Sequence, residues 1–185
     1  MNDNQKKYIL IITALAALMA ATRMHHFGSA LHLPDASLAV FMLAGILVAS
    51  PLFFAALLVE AALLDYVAIA HLSVNDYCVT PAYWFLLPTC AIMWYAGRYY
   101  RSRHSQSWRG LSLFAATASL AACAAFVVSS GSFYLFSGRF AEMNLLQYAD
   151  SVSGYFIQYL GGVFFYLSIA VGVQIAVLSR RSGLT

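Results

Sequence analysis

Charge is what this chain has least of. Only 9% of its 185 residues are Asp, Glu, Lys or Arg, against roughly 25% in an average soluble domain. Ten basic and seven acidic side chains are too few to cover a water-soluble globule. A soluble enzyme, an acidic solvating chain and a nucleic-acid binder with a basic face are therefore excluded. Three cysteines are an odd number, which rules out a complete disulfide framework. The chain has no Gly-x-x-x-x-Gly-Lys-Ser/Thr phosphate loop, so it does not itself hydrolyse ATP. Nor does it show a His-x-x-x-His pair, an internal repeat or a low-complexity tract.

What it has in abundance is apolar surface, with 62% hydrophobic residues. A helix crossing the hydrocarbon of a bilayer needs about 20 residues, and backbone groups in lipid must be satisfied within the segment. No alternating barrel pattern occurs, so the expected fold is an all-α integral membrane protein forming one transmembrane domain over 1–185. Its spans are expected at about 8–22, 36–50, 52–72, 82–100, 110–135 and 155–179. Lys6 and Lys7 ahead of an Ala/Leu/Ile run imitate a signal peptide, but the stretch is read as the first span. Pro51 interrupts the run 36–72, which is either one bent helix or two helices joined at Ala49-Ser50-Pro51.

Charge placement chooses between five and six spans. With six spans and the N-terminus inside, Lys6, Lys7, Arg98, Arg101, Arg103, Arg109, Arg180 and Arg181 are cytoplasmic, and Arg23 and Arg139 face out. Five spans leave only Lys6, Lys7 and Arg139 inside. The expectation is six spans in a bacterial inner membrane with both termini cytoplasmic. The second span is then short, and neighbouring helices must bury it. The outer loops 23–35, 73–81 and 136–154 hold most of the polar groups capable of recognition.

Cys78 leads the candidate residues. Thr80-Pro81 reads as an N-cap followed by proline at the first helical position, so the thiol stands by a helix N-terminus, where the dipole favours thiolate. Such a thiol suits a soft metal centre or nucleophilic attack. Asp65 and Glu60 lie within the third span, where an acid costs roughly 2.5–3.5 kcal/mol and must face a cavity or a partner. Five residues apart, they point about 140° from one another and form no paired-carboxylate site. His25 and His26 are adjacent and cannot chelate together easily. Tyr77, Tyr83, Trp84, Phe133, Tyr134, Phe136, Phe140, Tyr148, Tyr155, Phe156 and Tyr159 cluster towards the outer side, where such rings form a membrane belt or wall a large flat ligand. Ala16 with Ala20, and Thr13 with Ala17 and Ala21, make small-residue ridges that let another helix approach.

Six short helices with ligand groups massed outside resemble the substrate-binding (S) components of energy-coupling-factor (ECF) vitamin transporters. The stretch Val74-Asn-Asp-Tyr-Cys-Val-Thr-Pro-Ala-Tyr-Trp-Phe-Leu-Leu-Pro88, with Met24-His-His-Phe-Gly28, is similar to the BtuM family of bacterial cobalamin-uptake proteins. That resemblance implies cobalamin as the transported ligand, Cys78 as the ligand of its cobalt, and His26, Asp65, Tyr77 and Tyr83 as pocket residues. It also implies docking of Ala16, Ala17, Ala20 and Ala21 to a transmembrane coupling subunit served by ATPases. Two rival readings start from the same residues. An exosortase-like thiol transpeptidase would use Cys78 with Arg139 and His71 or His26, and a haem protein would use His25 or His26.

Overall fold

The computed structural model describes residues 2–23, 33–72 and 76–182, with the backbone alone for Cys78, Leu178, Arg181 and Ser182. Among them are six α-helices: α1 (Asp3–Arg23), α2 (Ser37–Leu47), α3 (Pro51–His71), α4 (Leu86–Arg103), α5 (Trp108–Phe136) and α6 (Leu145–Ser182). Two 3-10 turns, Asp76–Cys78 and Pro81–Phe85, connect α3 to α4. Four helices are long and apolar enough to cross a membrane: α1, α3, α5 and α6 as far as Val177. Their outward faces carry Leu10, Leu52, Leu63, Leu120, Val127, Ile157 and Ile175, all exposed. A helical membrane protein accounts for that surface, and a water-soluble one does not.

Local sequence sets the helix starts. Ser50 accepts a bond from Phe53 N (3.4 Å) with Pro51 at the first helical position, and Ser107 accepts from Gly110 N (3.2 Å) at the head of α5. Asn2 and Gln5 bond reciprocally to each other's backbone N–H (2.9 and 3.1 Å), a capping box for α1. The same box corrects the sixth span, expected to begin near 155. Asn144 and Gln147 exchange two 3.0 Å bonds, so α6 starts at Leu145 and runs 38 residues. The fourth helix is shorter than expected at its head, because Thr80 caps a 3-10 turn and regular helix begins only at Leu86.

The chain does turn back at Pro51. Ala49 adopts a left-handed φ of 55° between α2 and α3. Arg23 then reaches both Ser37 at the start of α2 (2.9 Å) and Asp65 late in α3 (2.7 Å). One continuous helix would hold those two residues roughly 42 Å apart, so α2 and α3 are antiparallel. α2 is only 11 residues long, about 16 Å, and packs against α1, α3, α4 and α6. Ala39 through Gly45 are all buried, as befits a helix hydrophobic on every side. The core around it contains Met19, Phe41, Met42, Leu57, Met93, Trp94, Val163 and Leu167.

Contact between α2 and α4 is backbone to backbone. A Cβ on Gly45 would collide with Trp94 O and stand 3.1 Å from Arg98 N; one on Gly97 would collide with Met42 O and stand 3.1 Å from Ile46 N. Two glycines thus let α2 and α4 approach backbone to backbone.

Candidate functional site

A cluster of polar side chains forms at one end of the bundle, around Arg23. Its Nε and Nη2 donate to Oδ1 and Oδ2 of Asp65, both at 2.7 Å, and its Nη1 donates to Ser37 Oγ at 2.9 Å. Asp35 Oδ2 lies 3.7 Å from the same Nη1. Ser37 in turn donates to Asp35 Oδ1 through N (2.9 Å) and Oγ (2.6 Å). A bidentate, charge-assisted pair of this kind is what an acid within a span requires. The side chains are 11% and 25% exposed, so the pair is only partly screened by solvent.

Tyr83 completes the cluster by donating to Asp65 Oδ2 at 2.8 Å. It stands on the 3-10 turn ahead of α4, outside the helices. Burial first, then its bond to Asp65, pushes its phenol up to about 12 from the ordinary 10.0. It is therefore a protonated donor throughout the physiological range. Thr22 Oγ1 accepts from Ala36 N (3.1 Å), so Thr22 and Arg23 together stitch the end of α1 to the start of α2. Tyr166 of α6 donates to Pro34 O (2.7 Å) and braces the same stretch.

The connection carrying Cys78 lies at this end. Val79 N bonds Asp76 O at 2.8 Å and closes a single turn. Tyr77 packs on Phe133 (5.7 Å between centroids), Phe133 on Phe140 (5.7 Å), and Phe140 on Tyr148 (4.8 Å). The α5–α6 loop is thereby folded onto the turn, and the Arg139 guanidinium carbon sits 4.0 Å from the Tyr77 ring centroid. Many of the aromatics at this end stack on one another: Phe85 lies against Phe136 at 5.0 Å, and Phe126 packs on both Phe156 and Tyr159. Trp84 and Tyr155 are exposed.

Asp65 and Tyr83 are thus brought into direct contact, and Tyr77 lies on the same connection as Tyr83. His25, His26 and His32 fall outside the described residues, as does the side chain of Cys78. Ala16 and Ala20 are half-buried, while Thr13, Ala17 and Ala21 are exposed. His71 is exposed at the end of α3. Glu60 has no hydrogen-bond or ion-pair partner among the described residues. Cys90 is a buried free thiol within electrostatic reach of Arg23, Asp35 and Asp65, and Cys123 is half-buried.

Arg23, Asp35 and Ser37 are the members of the cluster that sequence reading did not assemble. The available signal was that an acid inside a span needs a cation, and Arg23 is one of the two basic residues expected on that side. Among the described residues no three His, Cys, Asp or Glu side chains converge as a metal site. Clefts of about 540 Å³ (Asn2, Asn4, Gln5, Tyr8 and Ile9) and 420 Å³ (Gly138–Met143) open at opposite ends of the molecule. Only the second adjoins the Tyr77 turn.

The chain matches no protein-family model and no curated protein. What its helices define is the class: an α-helical membrane protein with a polar cluster at one end of its bundle.

Proposed function

We propose that the protein is a membrane substrate-binding component for cobalamin uptake, holding the corrinoid at the outer end of the bundle with the Cys78 thiolate on its cobalt. The observation that carries this reading is the Tyr83–Asp65–Arg23–Ser37 chain of hydrogen bonds. It ties the connection that carries Cys78 to the end of α1, the start of α2 and the late part of α3. A soft thiolate matches a polarizable cobalt centre, and the aromatic shelf of Tyr77, Phe133 and Phe140 suits a large flat ring. In this reading all six helices traverse or line a bacterial inner membrane, the basic residues after α4 and in α6 are cytoplasmic, and α1 faces a coupling subunit with its ATPases.

The test is the visible spectrum of purified protein incubated with cobalamin and freed of excess, for wild type and Cys78→Ala. The expected result is retained corrinoid with a shifted spectrum in the wild type and no shift in the variant. An identical spectrum in both would sink the thiolate, and no retained corrinoid would sink the transporter.

A second reading has one observation in its favour. Arg139 sits over Tyr77, the residue next to Cys78, and so belongs to the connection on which a thiol transpeptidase would carry its nucleophile. That enzyme would bind no corrinoid, and its thiol would remain open to alkylation whether or not cobalamin is present.

A further inference from the structure

Two basic residues, Arg23 and Arg139, belong to this end of the bundle, and they are used differently. Arg23 is spent on Asp65, Ser37 and Asp35. Arg139 has its guanidinium over the Tyr77 ring at 4.0 Å, and none of its side-chain N–H groups has an acceptor among the described residues. Glu142 lines the same cleft yet forms no ion pair with it among those residues.

The loop presenting Arg139 is well braced. Gly138 takes a φ of 71°, a left-handed turn that a side chain would resist. Arg139 N bonds Ser137 Oγ (3.3 Å), Tyr134 donates to Met143 O (2.9 Å), and Phe140 is wedged between Phe133 and Tyr148. A guanidinium held against a ring, with its donor edge unengaged, is pre-organised for a planar or tetrahedral oxyanion.

We propose that Arg139 is a ligand-binding residue that receives a phosphodiester carried by the molecule held at Cys78. The inference rests on the corrinoid reading above. Cobalamin carries one phosphodiester, linking the aminopropanol arm of the corrin to its nucleoside, and cobinamide ends at the aminopropanol and lacks that phosphate. The same chemistry exists in a phospholipid headgroup, so the source must be separated by experiment.

The experiment is equilibrium binding of cobalamin and of cobinamide to the purified full-length protein, for wild type, Arg139→Gln and Arg139→Lys. Phospholipid phosphate retained by each sample is assayed alongside. Arg139→Gln is expected to weaken cobalamin about tenfold and to leave cobinamide within about twofold. Arg139→Lys should fall between, since it keeps the charge and loses the fork. Cobinamide binding by the variants shows that they are folded. Equal losses for both ligands would overturn the proposal, because Arg139 would then act only by placing the Cys78 turn. Unchanged affinity for both would also overturn it, and with a loss of retained phospholipid it would assign the anion to a headgroup. A wild type that binds neither corrinoid removes the underlying reading and this one with it.

Discussion

Gly45 and Gly97 each occupy the spot where the other's helix backbone passes. Gly45 meets Trp94 and Arg98, and Gly97 meets Met42 and Ile46, so each faces residues three before and one after its counterpart. Ser37 at the head of α2 and Tyr83 just ahead of α4 both join the Arg23 cluster, so the two helices run parallel from that end and cross at this pair. Gly97→Ala must force them apart, at a cost of about 3 kcal/mol. Gly131→Ala, where a Cβ meets nothing within 4 Å, should leave stability unchanged or slightly raised. Thermal unfolding of both variants in detergent checks the contrast, and equal melting temperatures would refute it.

Asp65→Leu should cost about 3 kcal/mol, because it strands the Arg23 charge with only Ser37 and a 3.7 Å contact to Asp35. Arg23→Met combined with Asp65→Leu should recover most of that loss. A double-mutant cycle with a coupling energy near zero would show that the two groups do not depend on each other.

Tyr83→Phe removes one donor to Asp65 and should lower stability by about 1 kcal/mol. It also changes the response to alkali. A phenol raised from 10.0 to about 12 contributes stability that is complete below pH 10 and lost as the pH climbs through 12. Unfolding followed between those limits should fall less steeply in Tyr83→Phe than in the wild type.

Tyr159 presents the opposite case. Its hydroxyl is buried without a partner among the described residues, so Tyr159→Phe should be neutral or stabilising by up to about 1 kcal/mol. A loss greater than 1 kcal/mol would reveal a bound water satisfying that oxygen.

Topology can be read with single cysteines in a background lacking the native three. Under six spans, Asn4→Cys and Ser105→Cys react with an impermeant reagent only from the cytoplasmic side, and Ala141→Cys only from outside. Labelling of Ser105→Cys from the side opposite to Asn4→Cys would contradict the antiparallel turn between α2 and α3.

Much of the helical frame can be read from the chain. Long apolar runs with Ser50-Pro51 and Ser107 ahead of them locate α3 and α5 to within about two residues. The start of α6 escaped because Gln147, Asp150, Ser151 and Ser153 make its first turns polar. A search for lipid-facing surface passes over them, although Asn144-x-x-Gln147 spells a capping box. At the site, the need of Asp65 for company is legible from the energetics of a carboxylate in lipid. The identity of its partner is not, since Arg23 lies 42 residues away and meets it only once α2 has turned back. Arg139 is a charged residue in a loop by sequence; its place over Tyr77 depends on aromatic packing between segments some sixty residues apart.

The 38 residues of α6 make a rod of about 57 Å, nearly twice the roughly 30 Å depth of hydrocarbon. Such a rod must lean or protrude. Tyr148, in its first turn, is buried, stacks on Phe140 and Tyr134 at 4.8 Å, and donates to Ser130 O at 2.9 Å. Any change in lean is therefore transmitted to the loop that lays Arg139 over Tyr77. The acyl-chain length of the host lipid becomes a variable in the placement of Arg139 over Tyr77, which need not be the same in short-chain lipid as in long-chain lipid.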